Sequence, residues 1–176
     1  LKKICNRFKN NRWALISWVL LIMWMVLIFI LSSHTADRSS SVSGNILSAI
    51  LKVVYPEFRQ MSADEQFIVL ESYQYIIRKS AHFLLFGVLG TLSVNAYKSI
   101  HIKTDRLVIV LSLATCVINA ILDEIHQIFV PGRSCEITDI LIDSIGSLLF
   151  IFLTVYIFRC IENGKKASAD CENKKQ

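Results

Sequence analysis

WALISWVLLIMWMVLIFIL, Trp13 to Leu31, is a run of 19 residues without a charge, and the uncharged stretch continues through Ser33. A helix of that length rises roughly 28 Å, enough to cross the hydrocarbon core of a bilayer. Three further apolar segments follow, at about 76–97, 107–130 and 138–158. With 53% hydrophobic residues in 176, the chain is too apolar for an ordinary soluble domain. These segments predict an all-α fold, a bundle of four transmembrane helices, as one membrane domain over 1–162. The tail 163–176, poor in apolar residues, reads as disordered.

Lys2, Lys3, Arg7, Lys9 and Arg12 precede the first segment, as basic residues precede the apolar part of a signal peptide. The run is longer than such a region, and FILSSHTADRSS lacks a small-x-small cleavage site. The segment is therefore expected to be a retained helix. With four crossings, the N-terminus, the loop from Lys98 to Arg106 and the tail share one side. They carry 13 of the 19 Lys and Arg but only 4 of the 14 acids. The positive-inside rule puts both termini in the cytoplasm of a multi-pass cell-membrane protein. The net charge of +5 is then mainly a topology signal. No basic patch interleaved with aromatics accompanies it, which argues against a nucleic-acid partner.

Between the first two crossings, Val42, Ile46, Leu47, Ile50, Leu51 and Val54 recur at helical spacing before Pro56, predicting an amphipathic helix at the outer interface. A second piece starts at Ser62, where Ser-x-x-Glu forms a capping box, and runs towards Arg78. Val130-Pro131-Gly132-Arg133 ends the third crossing, and Thr138 is placed to cap the fourth. No internal repeat is visible. Of five cysteines, only Cys135 falls on the outer side, so no disulfide framework is implied.

This topology brings polar residues of all four crossings to one end. The first ends at Ser32 and Ser33; the second begins with Arg78, Lys79 and His82. The third ends with Asp123, Glu124, His126 and Gln127; the fourth begins with Asp139 and Asp143. Asp123 lies 16 residues past Leu107, about 24 Å along the helix and so several Å inside the boundary. Single charges at helix ends can be interfacial anchors. Short acids below the boundary cannot reach water, so as a set they are expected to line a polar cavity open to the outer leaflet.

In that cavity Arg78, Lys79 and Arg133 can hold an anionic group, with Gln127 and Asp143 as further ligand-binding positions. Glu124, Asp123, His82 and Asp139 are the candidates for acid-base work. His82, Asp123, Glu124, His126, Asp139 and Asp143 also offer mixed imidazole and carboxylate ligands. There is no HExxH, CxxC or DxD, however, and the cations can neutralise the acids, so neither metal nor cofactor is expected. Cys135 paired with His126 as a nucleophile is weaker than reading Cys135 as a small loop residue. A carrier would be expected to show repeat symmetry or broken helices, which are not seen.

The chain resembles the VanZ-like family of bacterial membrane proteins along most of its length. The resemblance rests on Ser32-Ser33 and the Ser-rich stretch after it, RKSAHFLLFGVLG at Arg78–Gly90, DEIHQIFVPGR at Asp123–Arg133 and DILIDSIG at Asp139–Gly146. It implies that Lys79, His82, Glu124, Gln127, Arg133, Asp139 and Asp143 are the characteristic polar positions, with Glu124, Gln127, Asp139 and Gly146 the steadiest. The family's namesake is associated with resistance to the glycopeptide teicoplanin. The resulting expectation is a cavity that binds or modifies an anionic membrane lipid or lipid-linked envelope precursor. A non-catalytic module limiting antibiotic access and a proton-coupled carrier are the alternatives. Nothing in the sequence sets an oligomeric state.

Overall fold

The computed structural model describes residues 2–33, 47–49, 51–53, 55–102, 104–131 and 135–173, with side chains from 12 to 164. Four long helices account for most of it: α1 (Lys2–Ser32), α2 (Ala63–Ser99), α3 (Asp105–Gln127) and α4 (Ile137–Asn173). Each contains a stretch long and apolar enough to cross a membrane, and no strand occurs among the described residues. The expected all-α, four-span architecture is present.

Three boundaries differ from the sequence expectation. The pieces expected from Ser62 and from Ile76 are one helix of 37 residues, about 55 Å long, well beyond a core of roughly 30 Å. Its start is the capping box: Glu65 N–H donates to Ser62 Oγ at 3.3 Å, and Ser62 N–H donates to Glu65 Oε2 at 2.8 Å. Thr138 lies inside the first turn of α4 rather than at its cap, and its hydroxyl donates to Glu136 Oε2 at 3.3 Å. The tail expected to be disordered is helical to Asn173. Once a helix is nucleated in the apolar span, each further residue adds a hydrogen bond without a new nucleation cost.

Of the amphipathic stretch 42–54, Leu47 and Leu51 are buried with Phe58 of the 3₁₀ turn Pro56–Arg59, against Met61, Val69 and Leu70 of the α2 side. Val42, Ile46, Ile50 and Val54 lie outside the described residues.

α2 is the central helix, packing on α1, α3 and most extensively on α4. Large apolar side chains are exposed on all four, as expected of lipid-facing surfaces. In lipid, where apolar burial offers little drive, close packing and interhelical hydrogen bonds hold helices together. Both are present. A Cβ on Gly146 would sit 2.5 Å from the Phe83 carbonyl oxygen, and one on Gly90 would sit 2.7 Å from that of Ser147. Glycine at these positions lets α2 and α4 meet backbone to backbone. Ser147 Oγ donates to the Phe86 carbonyl at 3.1 Å, and Thr91 and Thr154 hydroxyls meet at 3.1 Å. Trp24 Nε1 donates to the Leu85 carbonyl at 2.9 Å, anchoring α1.

At one end of the bundle Asp105 of α3 takes Arg159 of α4 at 2.7 Å and Lys98 of α2 at 3.2 Å. The other end, where α1 and α3 finish and α4 begins, carries the larger polar cluster.

Candidate functional site at the polar end

The last turns of α1 and α3, the first turns of α4 and the point where α2 passes them bring five acids together. Asp123, Glu124 and Asp143 are each 1% exposed. They sit on inward faces because Asp123 and Gln127 are one turn apart on α3, and Asp139 and Asp143 one turn apart on α4.

Asp123 Oδ2 accepts from Ser32 Oγ at 2.8 Å and from Gln127 Nε2 at 3.1 Å, joining α1 to α3. Glu124 Oε2 accepts the backbone N–H of Glu136 at 2.9 Å. The loop into α4 is thereby tied to α3. Lys79 Nζ donates to Glu136 Oε2 at 2.8 Å and to Asp139 Oδ1, and lies 4.8 Å over the Tyr75 ring. His82 Nδ1 stands 3.7 Å from Asp143 Oδ2, too far for a hydrogen bond.

The hydrogen bond to Lys79 holds the Glu136 carboxyl below the usual glutamate range. The stabilisation from this pair is therefore complete above that range, and it is lost as the pH falls through the lowered folded-state value.

The arrangement leaves atoms unsatisfied. Asp123 Oδ1, Glu124 Oε1, Asp143 Oδ1 and His82 Nδ1 are buried with no hydrogen-bond partner among the described residues. The three buried carboxylates also lie within electrostatic reach of one another. An unmade hydrogen bond on a buried polar atom costs about 1 to 3 kcal/mol, and four of them fall at this end of the bundle.

Asp123, Glu124, Gln127, Lys79, His82, Asp139 and Asp143 all gather at this end. Arg78 is only half-buried, its guanidinium 5.7 Å over the Tyr75 ring at the rim. Arg133 lies outside the described residues. His126 is turned towards α1, stacked on Phe29 at 4.2 Å and 3.0 Å from Ser33 Oγ; Cys135 is exposed. Among the described residues no three His, Cys, Asp or Glu side chains are grouped to hold a metal ion. Sequence reasoning missed Glu136. Its signal was an acid three residues before Asp139, where it can share a partner with it.

A family model described as VanZ/LLP1 matches residues 17–159, spanning all four apolar helices and the polar end. The chain belongs to the VanZ/LLP1 family. Each segment that carried the resemblance lies within that match, and three of the positions it singled out have structural roles. Glu124 fastens the α3–α4 loop, Asp139 engages Lys79, and Gly146 admits the Phe83 backbone. No curated protein and no solved structure matches the chain.

Proposed function

We propose that this VanZ-like membrane protein presents its polar end to the outside of the cell membrane. There it holds the headgroup of a phosphate-bearing lipid or lipid-linked envelope precursor, in the service of envelope maintenance or glycopeptide resistance. The observation behind this reading is the set of three carboxylates, 1% exposed, each with an unpartnered oxygen at the meeting point of all four helices. Evolution of a lipid-embedded bundle does not retain such groups cheaply without use. Arg78 at the rim, with Arg133, would meet the phosphate. Glu124 and Asp123 are the groups placed to exchange a proton with a bound hydroxyl or amine.

A binding role without chemistry is favoured by one feature. His82 and Asp143, the nearest approach to a proton relay, stand 3.7 Å apart. Glu124→Gln and Asp139→Asn distinguish the two roles in a teicoplanin-susceptibility or envelope-stress assay, with membrane abundance measured in parallel. Acid-base work at these groups predicts loss of activity at normal abundance; full activity in both variants would leave only binding.

The proposed orientation has its own test. Cys135 and Cys160 are both exposed and lie at opposite ends of the bundle. In intact cells a membrane-impermeant maleimide should label Cys135 and spare Cys160. The reverse pattern would invert the topology.

A further inference from the structure

The buried acids carry more information than the position of a site. Among the described residues the polar end holds Asp123, Glu124, Glu136, Asp139 and Asp143 against two permanent cations, Arg78 and Lys79. Lys79 is already shared by Glu136 and Asp139, and Arg78 is stacked on Tyr75. Among the described residues the deepest three acids therefore have no Lys or Arg of their own. Ser32 and Gln127 supply Asp123, and the Glu136 amide supplies Glu124, with neutral donors only.

The atoms left over are acceptors on the carboxylates. Asp123 Oδ1, Glu124 Oε1 and Asp143 Oδ1 can each receive a hydrogen bond and receive none among the described residues. A phosphate brought to these oxygens would be repelled. A group that satisfies them must donate N–H or O–H, and one that also offsets the buried negative charge must be positive. The side chains of the cluster that still reach the surface are His82 at 15%, Asp139 at 12% and Lys79 at 11% exposure. His82 Nδ1 is also without a hydrogen-bond partner among the described residues.

We propose that this end of the bundle recognises a primary ammonium, received by the unpartnered oxygen of Asp143, with Asp123 and Glu124 adding to the buried negative charge, while the phosphate of the same headgroup stays at the Arg78 rim. This rests on the headgroup reading above and narrows it to a zwitterionic, N–H-bearing lipid, with a free amine as the other source of the same chemistry. A quaternary ammonium has the charge but no N–H to give, and so cannot satisfy that oxygen.

The test uses the purified full chain in detergent micelles, reading its thermal midpoint as lipid is added. Phosphatidylethanolamine should stabilise at about tenfold lower mole fraction than phosphatidylcholine, the ratio expected from one charge-assisted hydrogen bond. Asp143→Asn should abolish that preference. Should this variant fail to fold, Asp123→Asn, which removes one of the buried charges, should reduce the preference, and the contrast between the two lipids on the unaltered chain stands without either. Stabilisation by free ethanolamine alone would support ammonium recognition with a soluble amine as its source. Equal effects of the two lipids, or a stronger effect of phosphatidylglycerol, would overturn the ammonium proposal and leave the headgroup reading intact. No stabilisation by any of them would overturn both.

Discussion

Replacing Lys79 by Met should lower the stability of the folded protein by about 3 kcal/mol, or roughly 6 to 12 °C in its thermal midpoint. Methionine keeps the apolar stem but removes the charge that Glu136 and Asp139 share. The penalty comes less from the lost attraction than from leaving Asp139, 12% exposed, with an uncompensated charge. Adding Asp139→Asn to Lys79→Met should therefore recover part of the loss. Thermal unfolding of the three variants in one detergent checks this. A Lys79→Met midpoint equal to that of the unaltered protein would show that the cluster does not hold α2 to α4. Acid should weaken the same contact, since the lowered Glu136 carboxyl keeps its charge to lower pH than an ordinary glutamate and then loses it.

Gly146→Val should be at least as damaging, costing about 3 kcal/mol or more. Its first added carbon would lie 2.5 Å from the Phe83 carbonyl oxygen and 3.1 Å from the Phe83 ring. The obstacle is backbone, so no rotamer change relieves it and α2 must move away from α4. Gly146 is also three residues from Asp143, so the displacement would spread into the polar end. Even Gly146→Ala should destabilise. Gly164 offers the control: nothing lies within 4 Å of a Cβ there, so Gly164→Ala should be neutral or stabilise by up to about 1 kcal/mol through helix propensity. Midpoints that move equally for the two alanines would rule out close packing as the role of Gly146.

The sequence was most legible where one residue type dominates a long window. Trp13–Leu31 and the later apolar runs can be little else than spanning helices, and counting along them placed the acids at a common end. Continuity was harder to see. The polar ESYQ at 71–74 reads as surface and hides the fact that Ala63–Ser99 is a single helix.

Partners across the bundle were harder still. Lys79 reads from sequence as a cation free for an anionic ligand, whereas it bonds to carboxylates 57 and 60 positions away. Helical periodicity shows which face a residue occupies, not which of several acids on a facing helix lies within 3 Å. Glu136 was overlooked for a related reason. One residue ahead of α4 it looks like a loop acid, and only the crossing of α2 and α4 makes it a ligand of Lys79.

Mass spectrometry of lipid retained by the purified full chain, compared with that retained by Asp143→Asn, bears most directly on the proposal that the buried acids form a headgroup site. The account predicts one class of phosphate-bearing headgroup enriched over the bulk membrane on the unaltered chain and lost from the folded variant. The same unselected bulk lipid on both proteins would contradict it.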